Sequence, residues 1–236
     1  MSGESAMEAR LAPCRLRGAD LIQSKFAHDL ALTLVRNCSS VFAGVKPAAV
    51  FSHKLCGACG SCSCVSHHMT SVEREVVRAF AHGLGDQGIR LDVVGVNKGR
   101  LQLLVWNEGL VSQVLEDADV REFMVAQGFD ASDASALMAQ IRRRLCNFHL
   151  GISADYPHEI GVILGYPLED VLGFIHHDRE VERGPWRVYG NVENARRCFE
   201  RMQQSQEAYQ RLYEQGMTLG ALVRRGQLHA RTVPTP

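Results

Sequence analysis

The chain has 236 residues, 46% hydrophobic and 22% charged, the composition of a globular protein able to bury a core. Its 26 Lys and Arg balance 26 Asp and Glu, so no cationic excess marks a binder of nucleic acid or membrane surfaces. No apolar run is long enough to span a bilayer, and Met1 to Arg10 lacks the apolar core of a signal peptide. The expectation is a cytoplasmic protein with neither nucleic acid nor membrane as partner.

Residues 1–19 read as a tail. From Asp20, a good N-cap, Ile22, Phe26, Leu30 and Leu34 fall on one stripe, which predicts a helix ending near Asn37-Cys38-Ser39-Ser40. Val41 to His53 is apolar but interrupted by Gly44 and Pro47, a turn leading into a short strand or helix. Residues 54–69, rich in Gly, Ser, Cys and His and without periodicity, read as a loop. Thr70 with Glu73 fits a capping box, and Val72, Val76, Val77 and Phe80 form the buried stripe of the helix that follows.

Between Ile89 and Trp106 the pattern changes period. Leu91 and Val93 alternate with Arg90 and Asp92, Asn97-Lys98-Gly99 supplies turn residues, and Leu101, Leu103 and Val105 alternate again. That predicts a hairpin at about 89–106. Helices are expected at Gly109–Glu116, Asp119–Gln127 and Asp133–His149, then two short ones with Pro157 and Pro167 at their first positions. Trp186 to Tyr189 reads as one more strand. A long helix after Asn191 stops at Gly216, and a last one runs to Arg225. The fold class is α+β: mostly helical with a small, mainly antiparallel sheet, a single domain over 20–225 and a tail over 226–236.

Several motifs have plain readings. Gly83 to Gly88 spells G-x-G-x-x-G, but a helix precedes it and a strand follows, the reverse of a dinucleotide site. Pro157-His158-Glu159 lacks the second His of a zinc protease, since position 162 is Val. His158 at a helix start is kept neutral by the dipole, and Glu159 suits that end electrostatically. His176-His177 suits a helix C-terminus, and Arg142-Arg143-Arg144 reads as a solvated face.

The strong chemical signal is Cys56-x2-Cys59-x2-Cys62-x-Cys64, followed by His67-His68. In a compartment that keeps thiols reduced, such spacing points to metal rather than to disulfides. Thiolates two residues apart, on a backbone loosened by Gly57 and Gly60, can converge on one soft ion. The run resembles the C-x2-C-x2-C part of bacterial ferredoxins, but its fourth cysteine is one residue away, not three, and no proline follows. Cys56, Cys59 and Cys62, with Cys64, His67 or a distant Cys, are the expected ligands for zinc, copper(I) or an iron–sulfur cluster. A metal or redox partner protein would go with that function.

Two segments carry a family resemblance. Asn37 to Phe51 (NCSSVFAGVKPAAVF) and Pro157 to Val171 (PHEIGVILGYPLEDV), the latter continuing to Phe174-Ile175 and Trp186-Arg187-Val188-Tyr189-Gly190, resemble the bacterial domain of unknown function 3793 family over roughly residues 28–215. The family usually has Ala-Pro where this chain has Ser39-Ser40 and Lys at Arg187, and the cysteine run lies outside its pattern. The resemblance implies a cytoplasmic protein and singles out Cys38, Lys46, His158, Glu159, Tyr166 and Tyr189. It supports a second reading: an enzyme or small-ligand-binding protein with a pocket around His158 and Lys46. In that reading His158 and Glu159 are the catalytic candidates, Lys46 and Arg187 contact an anion, and Cys38, Tyr166 and Tyr189 complete the wall.

Overall fold

A three-stranded antiparallel sheet lies between two layers of helices. The computed structural model describes residues 18–55 and 69–230, with side chains at 23–55 and 69–227. The strands β1 (Ala48–Lys54), β2 (Ile89–Asn97) and β3 (Arg100–Asn107) lie in the order β1-β3-β2. Ala48 faces Trp106 and Lys54 faces Arg100, while Ile89 faces Asn107 across the hairpin. Lys98 and Gly99 both have positive φ (48° and 69°), the signature of a two-residue primed turn, so the predicted hairpin closes at the predicted place.

The helices in chain order are α1 (Gly18–Phe42), α2 (Ser71–Gly85), α3 (Glu108–Val114), α4 (Ala118–Ala126), α5 (Ala134–His149), α6 (Leu168–Ile175), α7 (Val192–Glu214) and α8 (Leu219–Ala230). On one face of the sheet, Leu101, Leu103 and Val105 pack with Phe26, Leu30 and Leu34 of α1, Val76 and Val77 of α2, and Leu222 and Val223 of α8. On the other, Leu104 and Trp106 pack with Val111, Met124, Leu137, Ile141 and Leu145 of α3 to α5, and with Ile160, Ile163 and Val171. β3 is therefore covered on both faces, which is why Leu103 to Trp106 is continuously apolar rather than alternating. Each such side chain fully removed from water contributes roughly 1.5–3 kcal/mol, so burial on both faces outweighs any local preference of these short elements.

β2 departs from simple alternation. Its register shifts between Val93 and Gly95, so Val94 is buried in the second core and Val93 is 36% exposed. The bulge lets His149 approach Gly95, where an added Cβ would lie 2.5 Å from the His149 Cβ.

Other boundaries move for identifiable reasons. α1 does not stop at Asn37 to Ser40 but continues to Phe42. The Ser39 hydroxyl donates to the Val35 carbonyl within the helix, and Ser40 Oγ lies 2.9 Å from Ser205 Oγ on α7. Both hydroxyls are thus satisfied without leaving the helix. α8 runs past Arg225 to Ala230, and Gly226 is buried against the Phe42 carbonyl. Pro157 and Pro167 sit one residue before their helices rather than inside them, and the first of these is a short 3₁₀ turn (His158–Val162). The strand expected at Trp186 to Tyr189 is β5 (Arg187–Val188), paired with an unanticipated β4 (Glu182–Arg183). The capping box at Thr70 and Glu73 forms as the spacing requires.

The arginine run is a solvated face only in part: Arg142 and Arg143 are exposed, while Arg144 is half-buried. Arg142 pairs with Asp92 at 3.0 Å, and Asp92 also accepts from the Trp106 indole at 2.9 Å. Arg144 pairs with Glu159, donates to the Gln127 carbonyl at 2.8 Å and stacks 3.8 Å over the Phe129 ring.

Candidate functional site

Lys46 and Pro47 pack directly on Gly165, whose φ is +83°; a Cβ there would lie 3.2 Å from both residues. The turn between α1 and β1 is thereby seated on the loop before α6. Cys38 is fully buried in the first core, close enough to Lys46 for their charges to interact. Burial pushes the Cys38 thiol far up, against the opposing pull of Lys46, and pushes the Lys46 ammonium down, against the pull of Cys38. A thiol held protonated in an apolar core is a weak nucleophile. Lys46 is half-buried, and its ammonium makes no hydrogen bond or ion pair among the described residues.

A run of rings leads on from Gly165. Tyr166 stacks on Trp186, with centroids 4.8 Å apart and planes 25° from parallel. Burial raises the phenol pKa of Tyr166 and of Tyr156, and the Tyr166 charge adds to the shift of Tyr156, so the two hydroxyls lie within electrostatic reach. Tyr156 in turn packs on His158 at 5.5 Å, and His158 on Phe174 at 4.8 Å. Tyr189 meets Phe174 edge-on at 6.5 Å, and Arg187 lies 5.7 Å over the same ring. His158, Arg187 and Tyr189 thus gather around Phe174, a residue that its apolar helical setting marks in sequence only as packing.

The catalytic candidates have different surroundings. His158 is exposed, whereas Glu159 is buried and paired with Arg144. Through that pair Glu159 anchors the 3₁₀ turn to α5. Arg187 has its own carboxylate, Glu180, at 3.5 Å. A cavity of about 320 Å³ opens beside this segment, lined by Arg144, Asn147, Asp155, Tyr156, Pro157 and Glu159 among others. Neither His158 nor Lys46 lines it.

Asp170 holds the second motif together. It is 3% exposed and accepts from Trp186 Nε1 at 2.7 Å, from the Tyr189 N–H at 2.7 Å and from the Gly190 N–H at 2.9 Å. Glu169 beside it accepts from the Asn191 N–H at 2.8 Å, at the start of α7. Sequence reasoning passes over Asp170 because an acidic residue in the first turn of a helix has an ordinary electrostatic role there.

Cys56, Cys59, Cys62, Cys64 and His67 lie outside the described residues. The chain on either side is firmly placed: the Leu55 N–H donates to Gly99 at 3.0 Å, and Thr70 caps α2. Cys38 lies in the first core, Cys146 packs on the second and Cys198 on a small third cluster with Trp186 and Val188. Among the described residues no group of three or more His, Cys, Asp or Glu gathers at metal-binding distance, and no helix is long and apolar enough to cross a membrane.

The model of a protein family of unknown function, DUF3793, matches residues 34–223. No curated protein and no solved structure matches the chain.

Proposed function

The chain belongs to the DUF3793 family, and we propose that this member is a cytoplasmic metal- or redox-handling protein whose cysteine run captures a soft metal ion or an iron–sulfur cluster. One observation carries this reading. Four thiols fall between positions 56 and 64, in a segment whose flanks are pinned by Leu55 and Thr70, while Cys38, Cys146 and Cys198 are dispersed over three separate clusters. The ligands in this reading are Cys56, Cys59 and Cys62, completed by Cys64, His67 or a distant Cys. Thiolates must lose their protons to bind, so affinity falls as the pH drops below the free-thiol range. A metal donor or electron-transfer protein is the partner such a site implies.

The test is metal analysis of protein purified without oxygen, with an absorbance spectrum to separate iron–sulfur from zinc or copper(I). Stoichiometric metal is expected in wild type and its loss in Cys59→Ser/Cys62→Ser. A wild type free of metal under those conditions defeats the reading.

A second reading is favoured by Lys46. A half-buried ammonium with no anionic partner among the described residues is a suitable contact for an acidic small molecule, and Tyr166 adjoins it through Gly165. Here an enzyme or ligand-binding protein would use Lys46 and the ring cluster around His158. Small molecules released on denaturation, identified by mass spectrometry, should include one that Lys46→Met fails to retain.

A further inference from the structure

A cleft of about 390 Å³ opens on the edge of the sheet where β1 ends, lined by Lys25, Asp29 and Thr33 of α1, His53 and Lys54 of β1, and Arg100 of β3. Among the described residues three cationic side chains face one carboxylate, a surplus of two positive charges when His53 is neutral. Arg100 is aimed by its neighbour: Nε donates to Ser52 Oγ at 2.8 Å and Nη2 to the Ser52 carbonyl at 3.3 Å, which leaves its other N–H groups unspent. Lys25 and Lys54 have no ion pair among the described residues. A concave site with this balance suits a compact dianion.

His53 narrows the chemistry. It is 5% exposed and packs edge-on against Phe26 at 5.2 Å. The Thr33 hydroxyl donates to the Asp29 carbonyl at 2.9 Å, so toward His53 Nδ1, also at 2.9 Å, its oxygen acts as acceptor. With the hydroxyl hydrogen given to Asp29, the ring proton is assigned to Nδ1, which leaves a bare lone pair on Nε2. That Nε2 is buried and has no hydrogen-bond partner among the described residues. Burial keeps the ring neutral by lowering its pKa, against the pull of Asp29 and Glu73 and with the help of Arg100. An unmet buried acceptor beside a cationic cleft calls for a ligand that is anionic and still has a hydrogen to give.

We infer that this cleft binds a phosphate-class anion bearing its own O–H, either hydrogen phosphate or a hydroxyl-carrying phosphate ester, with Arg100, Lys25 and Lys54 on the charge and His53 Nε2 accepting the hydrogen.

Titration calorimetry of the full chain with inorganic phosphate, sulfate and glycerol 3-phosphate tests this directly. Sulfate has the size and charge of hydrogen phosphate but no hydrogen at neutral pH, so phosphate should bind at least about tenfold more tightly. Arg100→Gln, at an exposed position, should weaken both anions by about tenfold or more. His53→Asn keeps a partner for Thr33 and removes Nε2, so phosphate and sulfate should become equal. Glycerol 3-phosphate tighter than phosphate identifies an ester as the ligand; weaker, the free anion. Equal binding of phosphate and sulfate by wild type, no binding of any of the three at about 10 mM, or full affinity in Arg100→Gln overturns the inference. The wild-type comparison stands even if His53→Asn does not fold.

Discussion

The Trp186 indole donates a buried 2.7 Å hydrogen bond to Asp170, sixteen residues earlier in the chain. The same carboxylate accepts the N–H groups of Tyr189 and Gly190, so one side chain ties α6 to the strand and turn that lead into α7. This joint, rather than any single catalytic group, is what assembles the rings around Phe174.

Asp170→Ala should therefore destabilise the protein by about 3 kcal/mol, since one buried and two half-buried donors lose their acceptor. Asp170→Asn should lie between, because its amide cannot accept from both the indole and the backbone sides. Urea denaturation monitored by Trp fluorescence measures both. A loss below about 0.5 kcal/mol for the alanine variant would show that the joint is dispensable.

Gly226 faces the end of α1 at close range. A Cβ there would overlap the Phe42 carbonyl and come 2.8 Å from the Tyr209 hydroxyl. Carbonyl and helix are both backbone, so neither can yield by a rotamer change. Gly226→Ala should destabilise by about 2 kcal/mol or more through overpacking, whereas in an unconstrained helix the same change would stabilise by about 1 kcal/mol. Thermal denaturation reads the sign, and a raised Tm would mean that α8 does not dock on α1.

The hairpin turn offers a gain. Lys98 holds a positive φ of 48°, a conformation that costs most side chains and suits Asn. Lys98→Asn should add about 0.5–1 kcal/mol of stability without altering the fold. An unchanged denaturation midpoint would count against the turn geometry.

His53 makes stability depend on pH. Burial lowers its folded pKa, while the unfolded chain takes up the proton near pH 6.5. Below that value the unfolded state binds more protons than the native one. Stability should fall as pH drops through 6.5, by up to about 1.4 kcal/mol per pH unit, until the native ring itself protonates. His149, whose pKa burial also lowers, adds to the slope in the same direction. Denaturation midpoints at pH 7.5 and 5.5 should differ clearly in wild type and less in His53→Asn. An equal difference in both would remove His53 as a source of the slope.

What the sequence determined by itself is what depends on local periodicity and short-range chemistry. The hairpin of β2 and β3, the capping box at Thr70, the stripe of α1 and the helices α3 to α5 follow from residues a few positions apart. So do the family segments and the cysteine spacing, since both are properties of linear order. Tertiary structure decided the rest, because it turns on partners far apart in the chain. Ser40 stays helical because Ser205 answers it across 165 positions, and α8 continues because Phe42 has room for Gly226 and for nothing larger. Val94 is buried in place of Val93 only because a bulge re-aims the strand. His53 shows the limit most clearly. Its neighbours in sequence do not reveal that Thr33 holds one ring nitrogen while Lys25, Lys54 and Arg100 surround the cleft it lines, a charge balance that exists only once α1 crosses the sheet.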